Sequence, residues 1–170
     1  MSFMNKISAT ILLVFGFVLG VVFAGVAINI AAPQMLIKEV HSPYDFAKTV
    51  RVIRERIEAS EHWHVVTVYD ENAECVEHGG EPIGRMSIIK YCSGHYASKM
   101  LQADERKHLG AMMPKGIAVY ENSRGEVLIA MSNGAVMGEL FGGQVGRIIE
   151  EVSREVEQIM GFMHFKFTIF

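Results

Sequence analysis

Between Lys6 and Lys38 the chain carries no Asp, Glu, Lys or Arg, and nothing else in the sequence restricts the fold so strongly. As a helix, the run from Ile7 to Ala32 reaches roughly 39 Å at 1.5 Å per residue, enough to cross a bilayer's hydrocarbon with some tilt. Residues 1–33 are therefore expected to form a single transmembrane anchor. A secretory signal peptide is the competing assignment, with Lys6 as its basic region and Val22-Phe23-Ala24 as a loose cleavage site. The apolar run is much longer than an ordinary signal core, so an uncleaved anchor is expected. Lys6 and the short stub before the run predict a cytoplasmic N-terminus in an inner or cytoplasmic membrane. The domain after Pro33 is then periplasmic or extracellular. Lys38, Lys48, Arg51, Arg54 and Arg56 reduce this charge bias, but they belong to a folded domain rather than a short loop.

Within the apolar run Gly16, Gly20 and Ala24 recur every four residues. Three small side chains on one helical face let a second helix approach closely, which predicts a homo-oligomer or membership of a larger membrane complex. Glycine and alanine are also common in membrane helices that pack against nothing.

The remainder has an ordinary globular composition. All 19 acids, and every base of the 16 except Lys6, lie beyond Pro33. An acidic domain without a basic patch is not expected to bind nucleic acid. Two cysteines rule out a disulfide-dense scaffold, and the apolar content rules out a disordered chain. Cys75 and Cys92 permit one disulfide, which would compete with any role of Cys92 as a thiolate ligand.

Residues 34–161 are long enough for one core. Met35 to Val40 predicts a strand. Ser42-Pro43-Tyr44-Asp45 then reads as an N-cap, a first-turn proline and a first-turn acid, opening a helix with Phe46, Val50, Ile53 and Ile57 on one stripe. Trp63 to Tyr69, Met86 to Cys92, Gly116 to Glu121 and Glu126 to Ser132 predict four more strands, the last two joined by an Asn122-Ser123-Arg124-Gly125 turn. A short helix is expected between the second and third of these four strands. From Asn133 a long helical pattern runs through Met137, Phe141, Val145, Ile148, Val152, Val156, Ile159 and Met163, with Gly142, Gly143 and Gly146 near its start. The expected fold is α+β: an N-terminal transmembrane helix, then a β-α-β4-α antiparallel sheet with helices on one face. The other face is left to solvent, another subunit or a binding cavity.

Several segments together resemble the domain of unknown function 302 family. They are Ser42-Pro43-Tyr44-Asp45-Phe46, the strand ending Tyr91-Cys92, the Ala97 to Leu101 helix, Met113-Pro114 with Ile117-Ala118-Val119-Tyr120-Glu121, and Met131-Ser132-Asn133 with Met137 leading into Phe141-Gly142-Gly143. The resemblance covers about residues 35–161 and implies a TATA-binding-protein-like β-α-β4-α fold. It implies no general activity. Where the family pattern places a cysteine after Met-Pro, this chain has Lys115, so a role that needs that second cysteine lacks its residue.

The cluster most suggestive of chemistry is Cys92-x-x-His95-x-x-x-x-Met100, the spacing of a blue-copper loop. Thiolate, imidazole and thioether are the donors copper prefers. That site also needs a distant histidine held by a β-sandwich, whereas here Cys92 ends a strand and His95 opens a helix. The same three residues, with Met113, are candidate axial ligands for haem b or a soft metal, but covalent c-type attachment is excluded because Cys-x-x-Cys-His does not occur. Their structural reading is a small buried residue, a helix-start residue and core filler. No Gly-x-Ser-x-Gly elbow, P-loop lysine or helical His/Glu metal pair is present. Gly142-Gly143-x-x-Gly146 is expected to serve close packing.

The tail, residues 162–170, holds Phe162, Phe165, Phe167 and Phe170, and exposed phenylalanine at that density predicts contact with a partner subunit or the bilayer. The leading expectation is a non-catalytic, membrane-anchored extracytoplasmic accessory or structural subunit. The alternative is a redox or haem/metal-binding protein using Cys92, His95 and Met100. A third reading, binding of a small apolar molecule between the sheet and its neighbour, draws on the 11 methionines and names no contact residues.

Overall fold

The computed structural model describes residues 2–163. It divides into two compact units that meet in sequence at Met35 and Leu36. The first is helix α1, Ser2–Leu36, which continues through Pro33. Its stretch Ser8–Ala27 has a mean hydropathy of 2.6, is long and apolar enough to cross a membrane, and is entirely exposed. Gly16 and Gly20 lie in this stretch with open space around them.

The second unit begins directly at β1 (Ile37–His41), followed by α2 (Phe46–Glu58), β2 (His64–Asp70), α3 (Glu71–Glu77), β3 (Met86–Cys92) and α4 (Gly94–Leu101). A 3-10 segment (Asp104–Met112) leads to β4 (Lys115–Glu121) and β5 (Val127–Ser132), then α5 (Gly134–Phe141), α6 (Gly143–Ile159) and a last 3-10 turn (Gly161–Met163). The five strands form one antiparallel sheet in the order β1-β5-β4-β3-β2. The fold is α+β, as the sequence pattern predicts.

Strand alternation separates two faces. Ile89, Tyr91, Ile117, Val119, Ile129 and Met131 point inward and are almost fully buried. Onto them pack Ile53 and Ile57 of α2 and Ile148, Val152, Val156 and Ile159 of α6, forming one core. On the opposite face Ile88, Ala118, Ala130 and Glu39 lie in one cross-strand row. Arg56 of α2 fastens the two helices, its Nε donating to the Ile159 carbonyl and its guanidinium to the Gln158 carbonyl at 3.1 Å. It thereby satisfies carbonyls that the end of α6 leaves open.

Three local features differ from the sequence pattern. The N-cap of α2 is Asp45, whose Oδ1 accepts from Lys48 N at 2.9 Å. Ser42 instead ties the loop to the sheet, donating its N–H to Val127 O at 2.8 Å and accepting from Tyr44 N at 3.1 Å. Helix α3 and the Asp104–Met112 segment have no counterpart in that pattern. α3 buries no residue and the 3-10 segment only Leu109, so neither carries an apolar stripe to announce it. The long C-terminal helix is in fact two. Gly142 and Gly143 adopt φ of 57° and 55°, and α5 folds back on α6 as a helical hairpin. Such angles favour glycine.

Phe162 is held within its own domain, stacked on Tyr44 at 5.9 Å with Arg56 over its ring at 5.4 Å. Phe165, Phe167 and Phe170 lie outside the described residues.

Candidate functional site

The hairpin between α5 and α6 leaves a space beside one end of the sheet. There β4 begins, β5 ends and β1 begins, and the resulting cleft has a volume of about 570 Å³. That size falls within the range of about 300–1,000 Å³ usual for small-molecule sites. Met137 and Phe141 of α5 and Val145, Ile149 and Val152 of α6 form one wall. Met100, Leu109, Met112 and Met113 form another, and Ile88, Ala118 and Ala130 extend the lining across the face of the sheet that carries no helix. Ile37, Met112 and Phe141 are 51%, 45% and 41% exposed although all three line the cleft. Large apolar side chains left in water around a concavity mark a surface that binds something.

Lys115 also lines the cleft, inside an otherwise apolar stretch. It is the first residue of β4, paired across the strands with buried Tyr91, so alternation points it toward the helix-covered side. Burial disfavours its charged form and lowers its pKa to about 8. In the sequence Lys115 stands out only as a departure from the family pattern. A charged residue opening a strand resembles an ordinary edge lysine until the fold encloses it.

The residues of the copper-like spacing occupy three surroundings. Cys92 ends β3 on the helix-free face, opposite His64. His95 stacks on His62 with ring centroids 5.1 Å apart and stands edge-on to Tyr96 at 5.0 Å. Met100 is buried and belongs to the cleft wall. Cys75 and Cys92 are both free thiols. Among the described residues no group of three His, Cys, Asp or Glu side chains is arranged to hold a metal.

Beside the His62–His95 stack, Glu155 accepts from Trp63 Nε1 at 2.7 Å and from the Tyr96 hydroxyl at 2.7 Å, one bond on each carboxylate oxygen. Burial pushes the Glu155 carboxyl up, but the hydrogen bonds from Tyr96 and Trp63, with His62 and His95 nearby, outweigh it and hold its pKa below the ordinary glutamate value. Burial and the bond to Glu155 raise Tyr96 to about 12. Trp63 and Tyr96 belong to the main core, so this network braces α4 and α6 around it.

Residues 38–162 match the family model described as "Domain of unknown function DUF302". The fold is similar to the crystal structure of an uncharacterized conserved DUF302 protein from Bacillus stearothermophilus, with a TM-score of 0.65 and 18% identity. The alignment covers 76% of this chain and 99% of that one. No curated protein matches the chain. The family match spans most of the sequence and nearly all of the second unit, and this chain belongs to the DUF302 family.

Proposed function

We propose that this protein is a membrane-anchored accessory subunit whose DUF302 domain, held outside the cytoplasm, binds a small apolar molecule in the cleft between the α5–α6 hairpin and the sheet. The observation that carries this reading is the cleft itself, about 570 Å³ and walled largely by methionine and aliphatic side chains, with Ile37, Met112 and Phe141 left exposed around it. Methionine is unbranched and polarisable, so a Met-rich wall adapts to ligands of different shape. Helix α1 supplies the anchor, and no linker separates it from β1. Gly16, Gly20 and Ala24 suit close packing of α1 against a second membrane helix.

The test is methionine-methyl NMR of the full chain in phosphatidylcholine nanodiscs, titrated with the neutral probe 1-dodecanol. Saturable shifts are expected at Met100, Met113 and Met137, with buried Met160 as the internal control. Partitioning of the probe into the bilayer alone, with no saturable change at the cleft methyls, would refute the reading.

A further inference from the structure

Two charged residues line the cleft, Lys90 and Lys115, and no acid does. They approach from opposite faces of the sheet. Lys115 lies on the helix-covered side, in register with Tyr91. Lys90 lies on the other side, its Nζ 3.3 Å from the point where a Cβ on Gly116 would be, so the absence of a side chain at Gly116 makes room for the ammonium. The acids elsewhere on the sheet are engaged: Glu39 accepts from Tyr120, Glu121 pairs with Arg85 and Glu126 with Arg124. Among the described residues the Lys115 side chain has no hydrogen bond or ion pair.

Resting on the reading of the cleft as a small-molecule site, we infer that its occupant is an amphiphile with a carboxylate head and an aliphatic tail, the head seated at Lys115 and the tail against Met100, Met113, Met137 and Phe141. A half-buried ammonium without a counter-charge is costly in apolar surroundings, and the fold retains one in the lining of the cleft. A carboxylate supplies the missing charge and accepts a charge-assisted hydrogen bond. A neutral apolar molecule would desolvate Lys115 further without compensating it, and a cation would be repelled by both lysines. With its pKa near 8, Lys115 still carries its proton at neutral pH, and a bound carboxylate reinforces that state. The cleft has no arginine of the kind that grips a phosphate through paired donors. A chain with its own membrane-crossing helix meets such amphiphiles where they concentrate.

The experiment compares dodecanoate with 1-dodecanol on the full chain in phosphatidylcholine nanodiscs, at matched bilayer mole fraction, reading the same methionine methyls. The wild type is expected to bind dodecanoate roughly tenfold or more tightly than the alcohol, the worth of one hydrogen bond to a charged group. Lys115→Met should abolish that preference while leaving dodecanol binding in place, and Lys115→Arg should retain part of it. Equal affinity for acid and alcohol in the wild type would overturn the carboxylate inference and leave the cleft reading standing. So would an undiminished preference for the acid in Lys115→Met. Failure of both probes to shift the cleft methyls would overturn both readings together.

Discussion

Gly134 of α5 lies so close to Ser153 of α6 that a Cβ on the glycine would be 1.8 Å from the serine Oγ. One turn further along, a Cβ on Gly146 would be 2.5 Å from the Gly138 carbonyl oxygen, which belongs to the backbone and cannot rotate aside. These contacts bring the two helices together and define the wall of the cleft. Gly146→Ala is expected to lower stability by about 1–3 kcal/mol, the usual cost of overpacking. Gly134→Ala should cost a similar amount, and less in a Ser153→Gly background, where the clashing atoms are gone. Thermal melts of the full chain in detergent measure both. Additive losses for Gly134→Ala and Ser153→Gly would show that the contact does not govern the hairpin.

Lys115 should make the protein less stable than it needs to be. Its folded pKa, near 8, lies below the ordinary lysine value of 10.5, so the unfolded chain binds the proton more tightly. The penalty is absent above the unfolded pKa, grows as pH falls from 10.5 to about 8, and is constant below that. At neutral pH Lys115→Met is expected to raise stability by at most about 3 kcal/mol, because each tenfold weakening of proton binding is worth about 1.4 kcal/mol and the partial exposure of the side chain reduces the penalty. The gain should vanish near pH 11. A Lys115→Met variant less stable than the wild type at pH 7 would mean that the ammonium has a partner in solution. Such a trade of stability against site chemistry is common where a buried charge serves binding.

Most of the framework can be read from the sequence because its elements are periodic. The Phe46, Val50, Ile53, Ile57 stripe and the β-branched runs at Trp63 to Tyr69 and Met86 to Cys92 each bury one face, and burial is what periodicity records. The break at Gly142 is hidden because Phe141 and Val145 keep the four-residue step across it. Both sides of the hairpin face the same cleft, so the pattern does not register the turn. The cleft is not legible from any one segment, since its lining comes from strands, helices and a 3-10 turn far apart in the chain. Conversely, Cys92, His95 and Met100 are close in sequence yet diverge, because β3 ends and α4 begins between them.

Acid should destabilise the fold through Glu155. Its carboxyl titrates below the ordinary glutamate value, so its contribution is present above the unfolded pKa of about 4.3 and lost as pH falls through the folded one. Glu155→Gln keeps one acceptor oxygen for two aromatic donors and should cost about 1–3 kcal/mol at pH 7. In that variant the Tyr96 phenol, held near 12 partly by Glu155, is expected to ionise at lower pH, followed at 295 nm against Tyr96→Phe. An unchanged phenol titration would remove Glu155 as the cause of the raised value.

The free thiols of Cys75 and Cys92 offer a direct reading of where the domain resides. Both are partly exposed, so a membrane-impermeant maleimide should label them in intact cells if the domain lies outside the cytoplasmic membrane. A Cys75→Ala/Cys92→Ala variant supplies the background. Labelling only after lysis would invert the topology and with it the source of any ligand. The intact mass of the membrane-extracted chain provides a separate check on the anchor. A mass that includes residues 1–33, together with retention through alkaline carbonate washing, is expected of α1 as an anchor. A product beginning just after Ala24 and released into the soluble fraction would show instead that the apolar helix is a signal peptide removed on export.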